Sequence, residues 1–174
     1  MADRKDLEIT GPKLLLVEGS DEEFLFSALT KHMNLTDVQV VAVRGKGNFE
    51  RDIGVFAQDQ VFRDEVTALG IVTDADLNTE HAFQMVQEAL AEAHLAVPDQ
   101  PLQSAGTNPK VVILVVPHGA TNGELEDVCL ESVADDPAMP CVDEFFQCID
   151  SYVGGLPNKL SKARVQAFLS SKTP

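Results

Sequence analysis

The sequence predicts an α/β domain, a central, mainly parallel four-stranded sheet flanked by helices. Two observations carry that prediction. Lys13-Leu14-Leu15-Leu16-Val17 runs into Glu18-Gly19, and Leu69-Gly70-Ile71-Val72-Thr73 runs into Asp74-Ala75-Asp76, apolar runs without polar alternation that each stop at carboxylates. Such runs read as strands buried on both faces, as in parallel sheets covered by helices. The second observation is the order β-α-β-α-β-α-β along the chain, which implies a doubly wound topology.

Each element has its own signal. After the first strand, Ser20 is placed to cap a helix, with Glu23 completing a capping box, and Phe24, Leu25, Ala28 and Leu29 follow at helical spacing. Val38 to Val43 is a second strand, ending in the turn Arg44-Gly45-Lys46-Gly47-Asn48, and a helix follows around Phe49 to Phe62. Val66 to Thr73 is the third strand. Thr79 to Leu95 is the clearest helix, with Thr79 as its candidate cap and Phe83, Val86, Leu90 and Ala93 recurring at three- and four-residue steps. Pro98 to Pro109 reads as a loop and Lys110 to Val116 as a fourth buried strand. A helix from near Glu124 turns Leu125, Val128 and Cys129 inward, Asp135 to Pro140 interrupts it, and Val142 to Tyr152 forms another. A Gly154-Gly155-Leu156-Pro157 break precedes a last helix at about Ser161 to Ser170.

Length and composition narrow the classes. A chain of 174 residues with 44% hydrophobic content fits one globular domain, residues 1–174, with a basic helical segment from about 155 to 174. The charged start Met1-Ala2-Asp3-Arg4-Lys5-Asp6 is not followed by a long apolar segment, and the longest apolar run, Val111 to Val116, is too short to span a bilayer. A soluble, cytoplasmic protein with no membrane partner is expected; the oligomeric state is open. Cys129, Cys141 and Cys148 lack any C-x-x-C spacing, so reduced, buried thiols are expected rather than disulfides or a structural zinc site. The net charge of −15 argues against nucleic-acid binding by the whole surface, since Lys and Arg supply most of that affinity. The tail is the exception: Ser151 to Pro174 holds no Asp or Glu and carries Lys159, Lys162, Arg164 and Lys172.

Ligands of parallel α/β sheets bind at the carboxyl ends of the strands. With the first and third strands as neighbours, Glu18, Asp74 and Asp76 converge there, and three like charges repel unless a cation sits among them. Asp74 and Asp76, two apart in an extended segment, point the same way. The histidines, His32, His81, His94 and His118, show no H-x-x-x-H pair, so a hard cation held by oxygen, Mg²⁺ or Mn²⁺, suits the site best. The plainer alternatives are helix initiation by the acidic pair and a solvated turn glutamate. Lys46, in a turn at another strand end, is a candidate phosphate contact, although the segment lacks Walker spacing and reads first as a turn.

Leu15-Leu16-Val17-Glu18-Gly19 together with Thr73-Asp74-Ala75-Asp76 resembles the TOPRIM domain of topoisomerases, bacterial primases and OLD-family nucleases, a Rossmannoid fold. The stand-alone, OLD-like branch is the most similar, through Gly123-Glu124-Leu125-Glu126-Asp127 and Lys159-Leu160-Ser161-Lys162-Ala163; the resemblance spans about Lys13 to Ser170. It implies a metal site of Glu18, Asp74, Asp76 and Glu126. It also implies a further acid four positions after Glu18, where this chain has Glu22 preceded by Asp21, and either can serve. Glu18 serves as ligand or as general acid or base, and Lys159 or Lys162 stabilises charge on the phosphate or leaving oxygen.

The expected function is divalent-metal-dependent phosphodiester cleavage of nucleic acid, DNA before RNA, or of a nucleotide, with a partner protein as a possible source of DNA binding. The alternative from another class is a non-catalytic module that binds metal and a nucleotide or nucleic-acid end. A third is a phosphatase with Asp74 as nucleophile, as in haloacid-dehalogenase-like enzymes, although Asn78 stands where their motif has Thr or Val. Topoisomerase chemistry is not expected, because the only tyrosine, Tyr152, lies remote in sequence from the acidic motifs.

Overall fold

The computed structural model describes residues 8–172; the charged start at residues 1–6 and the last two residues of the basic segment lie outside the described residues. The chain gathers into two compact units, the first ending at Asn122 and the second beginning at Gly123.

The first unit contains β1 (Lys13–Val17), α1 (Ser20–His32), β2 (Val38–Ala42), α2 (Phe49–Gln58), α3 (Gln60–Glu65), β3 (Ala68–Asp74), α4 (Thr79–Glu92), β4 (Ser104–Ala105) and β5 (Lys110–Val116). They form one sheet in the order β2-β1-β3-β5-β4. β2, β1, β3 and β5 pair in parallel, with Leu16 opposite both Val41 and Ile71, and Ile71 opposite Ile113. The α/β class and the mostly parallel sheet therefore stand, but the sheet has five strands, not four. Ser104–Ala105, inside the segment expected to be a loop, pairs antiparallel with Val112 and Val111. A two-residue strand is too short to show alternation; the open edge of β5 recruits it.

Alternation along the strands builds the core. Leu14, Leu16, Leu69, Ile71, Val111, Ile113 and Val115 are each at most 2% exposed and cluster with Ile53 and Phe56 of α2 and with Val86 and Leu90 of α4. Burying each such side chain contributes roughly 1.5–3 kcal/mol, which makes this face the main stabilising contact of the unit. Gly70 leaves room for the Leu15 side chain, since a Cβ there would lie 2.7 Å from Leu15 Cδ1. In contrast, α1 fully buries none of its side chains, and Phe24 stays 79% exposed.

Three local expectations need correction. The helix expected around Phe49 to Phe62 is two helices, because Asp59 adopts extended backbone and its carboxylate accepts from the N–H groups of Val61 (2.7 Å) and Phe62 (3.2 Å), capping α3. Ser20 is the first helical residue rather than the cap; Gly19 holds that position without a side-chain bond. Asn78, not Thr79, caps α4, accepting from His81 N–H at 3.0 Å, while the Thr79 hydroxyl donates to the Ala120 carbonyl at 2.7 Å.

The second unit comprises α5 (Leu125–Ser132), α6 (Met139–Val153) and α7 (Leu160–Ser170). Its core is Met139, Val142 and Phe146 of α6 with Phe168 of α7. Glu124 and Asp127 form a reciprocal capping box on α5; Leu125 is buried and Cys129 half-buried, but Val128, expected inward, is exposed. The expectation of buried thiols also fails for Cys141 and Cys148, which are exposed: turning Val142 and Phe146 inward leaves positions 141 and 148 on the other side of α6. Gly154, at φ 77°, ends α6 where the glycine pair foretold a break. No helix among the described residues is long and apolar enough to cross a membrane.

Candidate functional site

Strand order assembles the site. Because β1 lies between β2 and β3, the residues that follow these three strands meet at one carboxyl edge: Lys46 after β2, Glu18 after β1 and Asp74–Asp76 at the end of β3. Backbone bonds continue the pairing past the strands, from Val43 N–H to the Val17 carbonyl (2.9 Å) and from Gly45 N–H to the Glu18 carbonyl (2.8 Å).

The turn read in Arg44-Gly45-Lys46-Gly47-Asn48 is present, and its shape aims the lysine. Gly45 has φ 121°, a conformation that strains any L side chain. Asn48 closes the turn, its side-chain amide donating to the Arg44 carbonyl at 2.8 Å and its N–H to the Gly45 carbonyl at 2.9 Å. Lys46 Nζ is thereby brought within 2.6 Å of the Asp74 carbonyl oxygen and 2.9 Å of Asp76 Oδ2. The lysine side chain is only 18% exposed, against 47% for Asp76.

Glu18 is half-buried beside this pair. Burial pushes its carboxyl above the ordinary value of 4.5; the Lys46 charge opposes the rise, the Asp76 charge adds to it, the Asp74 N–H opposes it by donating to the carboxylate, and the Glu22 charge adds to it. The Thr73 hydroxyl lies 3.5 Å from Glu18 Oε2, at the outer limit of a hydrogen bond. Of the two residues left open as the further acid, Glu22 adds its charge to the upward push on Glu18, and Asp21 is exposed in the first turn of α1. The aspartate pair is not uniformly extended, as the spacing had implied: Asp74 ends β3 and is 9% exposed, whereas Asp76 sits at φ 48°, in a turn closed by the Asn78 N–H to Ala75 carbonyl bond. That turn presents Asp76 to the lysine.

The repulsion foreseen among Glu18, Asp74 and Asp76 is thus partly offset by a cation of the chain itself, the Lys46 ammonium, while the Asp76 charge still pushes the Glu18 carboxyl up. Among the described residues, no three His, Cys, Asp or Glu side chains are gathered as a ready cage for a metal ion. The donor chemistry nevertheless fits a hard cation: carboxylate and carbonyl oxygens drawn round one positive charge, with the ammonium as stand-in. Sequence reasoning placed Lys46 second, as a phosphate contact; its signal was a lysine framed by two glycines at a strand end, one strand away from an acidic motif.

Glu126, Lys159 and Lys162 belong to the second unit. Glu126 is half-buried on α5, where its charge, after burial, adds to the upward push on the Cys129 thiol. Lys159 is exposed, at the start of α7, with Nζ 3.5 Å from Glu124 Oε1, and Lys162 is half-buried one turn on. The other cations of the tail are paired as well: Arg164 with Asp143, and Lys172 with Asp136 at 2.7 Å. His118 is exposed after β5.

The fold and this edge define an α/β protein with an acidic, lysine-centred site at the carboxyl ends of a mostly parallel sheet. Residues 12–174 match the family DUF3226, described as "protein of unknown function", and the chain belongs to that family. No curated protein matches it.

Proposed function

We propose that this protein is a divalent-cation-dependent phosphodiesterase of nucleic acid, DNA in the first place, with a TOPRIM-type site. The observation that supports it is the gathering of Glu18, Asp76 and the Asp74 carbonyl around one positive charge at neighbouring strand ends. Glu18, Asp74 and Asp76 would hold Mg²⁺ or Mn²⁺, with Glu22 as the added acid. When bound, the cation neutralises phosphate charge and activates water. Glu18, whose proton affinity is raised chiefly by burial, is suited to take a proton from the attacking water or return one to the leaving oxygen. The Asp76 carboxylate and the Asp74 carbonyl, which now accept from the Lys46 ammonium, would be among the oxygens that hold the cation. With a net charge of −15, a partner protein would supply part of the nucleic-acid surface.

A second reading, metal and nucleotide or nucleic-acid binding without cleavage, is favoured by that same charge and by the lysine already seated among the acids. Incubating the full chain with supercoiled plasmid and Mg²⁺ or Mn²⁺ separates the two. Nicking that disappears in Asp76→Asn supports the phosphodiesterase; no nicking at high protein concentration, with Mn²⁺ binding intact, assigns the second reading.

A further inference from the structure

We propose that Lys46 is a built-in counter-cation that a divalent ion must displace, so that this lysine gates metal entry. The inference rests on the reading of the Glu18/Asp76 edge as a cation site and adds its regulation. An ordinary exposed ion pair would not do this, since such pairs exchange readily with water and are worth little. Lys46 differs in three respects. Its ammonium has two acceptors, the Asp74 carbonyl at 2.6 Å and Asp76 Oδ2 at 2.9 Å, both of them oxygens a hard cation would use. Its side chain is mostly shielded, at 18% exposure. Its backbone is set by a turn tied to the Glu18 carbonyl through Gly45 and closed by Asn48, so the ammonium is directed into the site before any ligand arrives.

Two positive centres on those same oxygens repel one another strongly at such distances. A divalent ion that takes Asp76 Oδ2 and the Asp74 carbonyl therefore releases the ammonium, and the flexible four-carbon stem lets it swing clear while the turn keeps its place. The divalent ion then offsets the acidic charge of the site and leaves the ammonium without its former acceptors, free to meet an anionic ligand such as a phosphate group. Metal and phosphate should bind cooperatively, each lowering the cost of the other.

The test uses the metal-free full chain and Mn²⁺ itself, with binding read by calorimetry or by the loss of the free-ion resonance signal. Removing one positive charge within a few ångströms of a divalent ion raises its affinity by roughly tenfold even at a water-like dielectric, so Lys46→Met and Lys46→Gln should both bind Mn²⁺ about that much more tightly than wild type. Lys46→Arg, which keeps the charge, should not. In EDTA the two neutral variants should melt below wild type, and Mn²⁺ should raise their melting temperature more than it raises that of wild type. A measurement on wild type removes dependence on how the variants fold: saturating Mg²⁺ should abolish the protection of one lysine ammonium in ¹⁵N spectra. Equal Mn²⁺ affinity in wild type and both neutral variants, or an ammonium unmoved by bound Mg²⁺, overturns the proposal alone. Absence of Mn²⁺ binding in all four proteins overturns the cation-site reading and this proposal with it.

Discussion

The two units use positive charge in different ways. In the first, one lysine is drawn among acids at the sheet edge, largely shielded, with a carboxylate and a carbonyl as partners. In the second, Lys159, Arg164 and Lys172 meet carboxylates at the surface, Glu124, Asp143 and Asp136, with Lys159 67% and Lys172 43% exposed. Exposed pairs of that kind contribute at most about 1 kcal/mol and are screened by salt. Charge that is sequestered can control a ligand; charge that is paired in solvent mainly settles a surface. The tail that looks like a free basic segment in one dimension is folded against its own unit's acids, so its pull on a polyanion is weaker than its lysine count implies.

The largest effect should come from the first unit. Glu18→Gln is expected to lower metal-dependent nicking by about 10²–10⁴-fold, as loss of a positioned acid–base group does, whereas Lys159→Met should cost less than about tenfold. A comparable loss in both variants would break the contrast between the units and enlist the tail in the reaction. Gly45→Ala comes next: it forces a side chain into φ 121° and should destabilise the protein by more than about 1 kcal/mol in urea unfolding while weakening the Lys46 contacts. An unchanged midpoint would mean that the turn is not what directs the lysine.

A pH series on stability is subtler. The Glu18 pKa is raised in the folded state, chiefly by burial, so the ionised form is disfavoured there. The contribution of this group is fully present below its ordinary value of 4.5 and is lost as pH rises through the folded value. In EDTA, Glu18→Gln should therefore melt above wild type at pH 7 and match it at pH 4; a gain independent of pH would point to packing rather than charge. Asp136 has the opposite sign. The Lys172 ammonium, followed by the Ala138 N–H, holds its carboxyl below the ordinary 3.8, so its contribution is present above that value and fades as pH falls through the lowered one. Asp136→Asn should give the smallest shift of the series at pH 7, read as melting temperature, and a large one would mean that the surface pairs of the second unit matter more than their exposure implies.

Much of the fold was legible in one dimension. The unbroken apolar runs identified β1, β3 and β5, and helical periodicity identified α4, because a strand or helix covered by its neighbours writes its burial into its own residue pattern. The convergence of Glu18 with the aspartate segment was legible too, since residues that follow neighbouring parallel strands meet at one carboxyl edge, and β1 and β3 are neighbours. The capping roles were misread by one residue at both α1 and α4, where adjacent residues offered equivalent chemistry.

What the sequence by itself determined, then, is the class of fold and which acids stand at its strand ends. Only the tertiary structure decided what lies among those acids. Lys46 reaches Asp74 and Asp76 across 28 and 30 residues of chain, through a positive-φ glycine and the placement of β2 beside β1. Local pattern records whether a residue is buried; it does not record which distant charge is folded against it, because that depends on strand order and turn geometry.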